Sequence, residues 1–208
     1  MELVRRILLP GIRGAEMEDT GQALFLPSQE QALIATAAEK RRRDFALGRT
    51  CAREALEKLG HGHAVIGKAV DGAPLWPAGI VGSITHTKNY AAALAAEARN
   101  FSALGVDAER IGGVTQELWP RLMHTAEYDD LKSRAGAGKD IAATLFFSAK
   151  EAAFKTGAMK GALHFRDVQV VLKEDGPAGG LAVRLPSGQT LEGRYAVEHD
   201  LVLTMVRS

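Results

Sequence analysis

Phe146-Phe147-Ser148-Ala149-Lys150-Glu151-Ala152-Ala153-Phe154-Lys155 is free of Gly, Pro and any β-branched run. Alanines and straight-chain residues fill it, so it predicts a helix. At about 100° per residue, Phe147, Lys150, Glu151, Phe154 and Lys155 fall on one broad face. Two aromatics, an acid and two bases make an awkward mixture for a face that packs inward, because a charge at a buried edge is costly unless paired. Local chemistry offers a plainer account. Ser148 to Glu151 fits the S-x-x-E capping box, and Glu151 and Lys155 are an i, i+4 surface pair worth roughly 0.3–0.5 kcal/mol. Against the cap, an apolar helical run already begins near Asp140 and passes through Ser148. Asp140 is therefore expected to cap a helix reaching about Lys155.

A second acidic element lies upstream, Gly105-Val106-Asp107-Ala108-Glu109. A strand alternates its side chains, so Asp107 and Glu109 share one face and Val106 and Ala108 the other. Carboxylates about 7 Å apart along a strand repel each other unless a cation lies between them. Glu151 would complete an all-oxygen set, which suits Mg²⁺ rather than zinc or copper. An acid-x-acid strand alone is also a common solvated edge; the combination with Glu151 is the more specific signal.

The chain has 208 residues, 46% of them apolar and 25% charged, ordinary for a soluble globular protein with a real core. A formal net charge of +1 argues against a general nucleic-acid binder. The single Cys51 excludes an internal disulfide and fits a reducing compartment. No apolar run is long enough to span a bilayer, and Pro10-Gly11 ends Ile7-Leu8-Leu9 too early for a signal peptide. A cytoplasmic protein without a membrane partner is expected.

Residues 1–27 read as a short strand and an irregular segment. Ser28, with Gln31 as capping partner, opens a helix towards Gly60 that bends or breaks near Gly48. Six bases against two acids between Lys40 and Glu54 give a local +4. Arg41, Phe45, Arg49 and Arg53 line one stripe, either a solvated face or an anion-capturing one. The turn-rich Asp71–Gly79 stretch places prolines on both sides of Trp76, suggesting a rigid loop packed on the body. In Gly82-Ser83-Ile84-Thr85-His86, three polar side chains sit beside a glycine that allows close approach to a phosphate, although a lone histidine is often structural. Short helices are expected over 115–134 and a flexible link at Ala135–Gly138. Beyond Gly161 a period of two, with turns at Gly176-Pro177, Ser187-Gly188 and His199-Asp200, predicts an antiparallel sheet.

The three blocks, Gly82–His86, Gly105–Glu109 and Phe147–Lys155, stand in an order and spacing that resembles the 4′-phosphopantetheinyl transferases, on the enterobactin synthetase component D and surfactin-type branch. The resemblance covers about residues 39–168. It implies an α+β, pseudo-twofold fold of two similar subdomains, 1–103 and 104–208, with the site between them. It makes Tyr90–Ala96 a strand where alanine propensity favours helix. It implies transfer of the 4′-phosphopantetheine arm of coenzyme A to a serine of an apo acyl or peptidyl carrier protein, releasing 3′,5′-ADP, the carrier belonging to fatty-acid, polyketide, non-ribosomal peptide or siderophore synthesis. Two halves within one chain make a monomer sufficient. Arg41, Arg49, Lys68, Ser83 and His86 would hold the coenzyme, the arginines at its 3′-phosphate. Asp107, Glu109 and Glu151 would hold Mg²⁺, or Mn²⁺ in its place. Lys155 and Lys150 would meet phosphate oxygens, and Glu151 or Glu109 would be the base. A coenzyme-binding protein without turnover would not need three converging acids, and a Mg²⁺-dependent phosphohydrolase would leave the basic stripe unexplained.

Overall fold

Tyr90-Ala91-Ala92-Ala93-Leu94-Ala95-Ala96-Glu97 is strand β5, buried throughout except at Glu97. The computed structural model describes residues 2–159 and 164–208. β5 is the centre of an antiparallel three-stranded sheet, flanked by β1 (Ile12–Glu18) and β4 (Ile80–Thr87), while β2 (Gly67–Lys68) and β3 (Pro74–Leu75) pair as a separate two-stranded ribbon. Ala91, Ala93 and Ala95 face helix α3 (Glu39–Glu57), while Tyr90, Ala92, Leu94 and Ala96 enter a second core on the opposite face. A strand covered on both faces has little room for bulk, and that tertiary demand overrides alanine's helical preference.

The N-terminal segment departs from expectation. Leu3–Ile7 forms a short helix, α1, before β1. Leu3, Val4 and Ile7 share one buried face and plug the core between the two sheets. Helix α2 is only Ser28–Ala32, with Pro27 rather than Ser28 at its N-cap and no side-chain cap. The Gln31 amide instead donates back to the Leu26 carbonyl at 2.8 Å. The break comes at residues 33–38, not Gly48, and α3 runs straight through Gly48. Buried Glu30 explains the turn: it accepts from Arg53 at 2.8 Å and from the Ile66 amide at 3.0 Å, pinning α2 against its neighbours. Gly48 serves close packing, since a Cβ there would lie 2.7 Å from Ile84 Cγ2.

The C-terminal half repeats the plan of a 19-residue helix on an antiparallel sheet. Helix α6 (Ala137–Lys155) lies across five strands in the order β6-β10-β9-β8-β7. These are β6 (Leu104–Arg110), β7 (Gln169–Leu172), β8 (Ala178–Arg184), β9 (Thr190–Glu198) and β10 (Leu201–Arg207). The expected hairpin sheet is present; its supposed start at Gly161 lies outside the described residues. Gly136, at φ 54°, is the N-cap of α6, so Ala137 and Gly138 are helical rather than linker and Asp140 sits in the first turn. Between β6 and α6 the chain forms a 3₁₀ turn and two short helices, α4 (Trp119–Leu122) and α5 (Thr125–Ser133).

The two halves share one core: Val106, Ala108, Leu201, Leu203 and Met205 pack with Tyr90, Ala92, Leu94 and α1. Val106 and Ala108 therefore point into it, leaving Asp107 and Glu109 on the other face of β6, towards α6. Gly105 sets how closely that helix approaches, because a Cβ there would stand 1.9 Å from the Ala152 carbonyl oxygen.

Candidate active site

Close contact of α6 with β6 carries the last turn of the helix over the acidic strand. Lys155 Nζ donates to Asp107 Oδ1 at 2.8 Å and to the Val106 carbonyl at 3.0 Å. Glu109 and Glu151 stand close enough for their charges to act on each other. The Glu109 carboxyl is pushed up to about 7, first by burial and then by the Asp107 and Glu151 charges. Glu151 is raised by burial and by Asp107. Asp107 itself is buried, with Oδ2 lacking any hydrogen-bond partner. The Asp107 oxygen without a partner, with Glu109 and Glu151 raised first by burial and then by neighbouring acid charge, makes an all-oxygen donor set whose chemistry fits Mg²⁺ or Mn²⁺. Among the described residues no three such side chains are gathered into a ready-made metal cage. The arrangement is thus an open, mutually repelling set with Lys155 as its resident cation.

Ser148 is not a helix cap. It is buried mid-helix, where its hydroxyl pairs with Thr204 Oγ1 at 2.8 Å and reaches the Asp107 carbonyl at 3.3 Å. Lys150 departs most from expectation. Five residues separate it from Lys155, about 140° around the helix, so the two cannot meet the same group. Lys150 is fully buried, donating to Glu127 Oε2 at 2.6 Å and to the Leu122 carbonyl at 2.7 Å. It anchors α5 to α6 instead of reaching the carboxylates. Glu127 also accepts from the His124 and Val170 amides. Sequence inspection missed Glu127, for its i, i+3 neighbours look like those of any solvated helical acid.

Across the half boundary, Arg41, Phe45, Arg49, Lys68, Ile84 and His86 line one cavity of about 140 Å³. Arg49 is buried; it donates through Nη2 to the Gly67 carbonyl at 2.8 Å and lies 4.7 Å from the centroid of Phe45. Its Nη1 has no partner, a buried donor suited to an anion. Arg41 Nη1 meets His86 Nε2 at 3.1 Å. A guanidinium only donates, so Nε2 is the acceptor and the proton sits on Nδ1. Burial, then the Arg41 and Lys155 charges, hold the imidazole below its ordinary value, against Asp44 and Asp107. His86 thus lines the cavity and feels the charges of Lys155 and Asp107.

One expected contact, Ser83, and the third arginine of the stripe, Arg53, lie elsewhere. Ser83 is buried on the face of β4 opposite Ile84 and His86, away from the cavity. Arg53 is committed to Glu30 and to the Phe25 carbonyl. Gly82 makes room for Trp76, whose ring would stand 2.6 Å from a Cβ there, so the Asp71–Gly79 loop does pack on the body.

The arginine-lined cavity belongs to the N-terminal half, and the carboxylates on β6 and α6 belong to the C-terminal half. The model of the 4′-phosphopantetheinyl transferase N-terminal domain matches residues 29–96, and that of the 4′-phosphopantetheinyl transferase superfamily matches residues 103–205. The chain is 34% identical to the 4′-phosphopantetheinyl transferase Npt of Nocardia iowensis, over 98% of this chain and 99% of that one. It is 34% identical to the 4′-phosphopantetheinyl transferase PptT of Mycobacterium tuberculosis, over 92% and 90%. Enterobactin synthase component D of Escherichia coli K12 is 33% identical over 71% of this chain and 69% of its own. The chain belongs to the 4′-phosphopantetheinyl transferase superfamily, on the branch that includes enterobactin synthase component D, and is an enzyme of that class.

Proposed function

We propose that the enzyme moves the 4′-phosphopantetheine arm of coenzyme A onto a serine of an apo carrier protein. The observation that carries this is the placement of Lys155 on Asp107, among Glu109 and Glu151, next to the arginine-lined cavity. Arg49 and Arg41 take the 3′-phosphate, with Lys68 at the rim of the same cavity. His86 stands between that cavity and the carboxylates, placed to meet the diphosphate.

The serine oxygen bonds to the phosphorus bearing the pantetheine, the bond to the departing 3′,5′-ADP breaks, and the serine proton passes to a carboxylate. Glu151 is that base, directly or through a water, with Glu109 as the alternative. Lys155 turns from Asp107 to the phosphate oxygens and offsets their charge. Asp107, Glu109 and Glu151 would hold Mg²⁺, or Mn²⁺, which when bound would supply charge stabilisation to the diphosphate as its bridge breaks and the 5′-phosphate of 3′,5′-ADP departs. Both halves of the site belong to one chain, so a monomer suffices. Among the described residues no helix is long and apolar enough to cross a membrane; a cytoplasmic setting is part of the proposal.

The test incubates the protein with coenzyme A, Mg²⁺ and apo carriers from fatty-acid, polyketide, non-ribosomal peptide and siderophore synthesis. A coenzyme-dependent mass gain is expected on at least one carrier, with an equal yield of 3′,5′-ADP and none when the carrier serine is alanine. Release of phosphopantetheine to water without a carrier would indicate a hydrolase, and coenzyme binding without turnover a binding protein.

A further inference from the structure

β4 and β6 are the outer strands of their two sheets, and they lie side by side where the halves meet. No backbone hydrogen bond joins them among the described residues. An edge strand leaves N–H groups without ladder partners, and a buried one must find another acceptor. For the Ala108 amide that acceptor is Thr85 Oγ1, at 3.0 Å. Thr85 is 3% exposed, and its hydroxyl, having accepted from Ala108, directs its own proton at Asp107 Oδ1, 3.4 Å away. Lys155 approaches the same oxygen. Both donors are on Oδ1, and Oδ2 is the buried oxygen with no partner.

We infer that Thr85 is a positioning residue: by holding Ala108 and Asp107 Oδ1 together it turns Asp107 Oδ2 towards the place a divalent cation takes. The alternation of β4 gives this a second consequence. Ile84 and His86 line the anion cavity while Thr85 faces the acids, so one strand sets the spacing between nucleotide and carboxylates. A valine at this position keeps the shape but strands the Ala108 N–H and frees the carboxylate to rotate. This inference rests on the metal-binding role proposed above for Asp107, Glu109 and Glu151.

Mn²⁺ binding to the full chain, followed by electron paramagnetic resonance, is the primary readout, with 3′,5′-ADP binding in the absence of metal as the second. Thr85→Val and Thr85→Ala are expected to weaken Mn²⁺ about fivefold, the scale of one lost hydrogen bond. Thr85→Ser, which keeps the hydroxyl, restores the affinity to within about twofold of the parent. The 3′,5′-ADP affinity stays within about twofold in all three, because the cavity's own residues are untouched. Parent-like Mn²⁺ binding in both hydroxyl-less variants overturns the inference. So does Thr85→Ser binding as weakly as Thr85→Ala, or a parallel loss of 3′,5′-ADP affinity, which would mark a general structural role. Glu151→Gln is the reference: if it alone leaves Mn²⁺ binding intact, the metal assignment has failed, whereas a weakened Glu151→Gln with unaffected Thr85 variants rejects the role of Thr85 alone.

Discussion

Lys155 Nζ stands 2.8 Å from Asp107 Oδ1, so a cationic side chain on α6 already sits on a carboxylate proposed to take a metal ion. On that proposal the two cations would compete for Asp107 until a phosphate drew Lys155 away. Lys155→Met is therefore expected to bind Mn²⁺ about threefold or more tightly without coenzyme A, a modest share of one ion-pair interaction, while transfer slows roughly a hundredfold. Titration of the coenzyme-free protein checks the first part. Weaker Mn²⁺ binding in the variant would show that Lys155 assists the ion instead of competing with it.

Gly105 permits the approach that makes this geometry. A Cβ placed 1.9 Å from the Ala152 carbonyl oxygen must push α6 off β6. Gly105→Ala should cost about 1–3 kcal/mol, the usual scale of overpacking, and should slow transfer more than its stability loss explains, since Glu151 and Lys155 move with the helix. Urea unfolding and a saturating-substrate rate, taken on the same preparation, check both effects.

Burial pushes the Glu127 carboxyl up and the Lys150 ammonium down, against their mutual attraction. Lys150→Met would leave Glu127 buried without its counter-charge, at a cost of about 3–5 kcal/mol. Adding Glu127→Gln should recover only part of this. One carboxylate oxygen accepts from the Val170 amide and the other from His124, and a glutamine keeps a single acceptor. Equilibrium unfolding of the single and double variants measures it; a neutral Lys150→Met would contradict the pair's structural role.

Glu109 gives the metal-free protein a pH dependence whose sign is fixed. Its carboxyl rises from 4.5 to about 7 on folding, so between these values the folded state binds more protons than the unfolded one. Stability contributed by the protonated form is full below 4.5 and is lost as pH climbs through about 7. Thermal midpoints without metal should fall over that window, less so in Glu109→Gln, and saturating Mg²⁺ should flatten the fall. A midpoint that rises across the window would refute the crowding of the three acids.

The alternation of β6 and the C-terminal hairpins were legible because each rests on local period or turn chemistry. The β5 strand was legible only through family likeness, since its alanines answer to packing on two faces rather than to propensity. Lys150 was not legible as a core residue. A five-residue step already separates it from Lys155, but its partner Glu127 is twenty-three positions away and carries no pattern of its own. The break before α3 escaped for the same reason, because Arg53 and the Ile66 amide hold Glu30 from a distance.

In the proposed site, Asp107, Glu109 and Glu151 together hold one divalent ion beside the coenzyme diphosphate. Mn²⁺ titration of the protein saturated with coenzyme A, followed by electron paramagnetic resonance in the parent and in Asp107→Asn, Glu109→Gln and Glu151→Gln, tests it directly. One tightly bound ion per chain is predicted in the parent, with affinity reduced at least about tenfold in each variant. An unchanged ion in Glu151→Gln would remove the shared site, for it would leave helix and strand without a common metal.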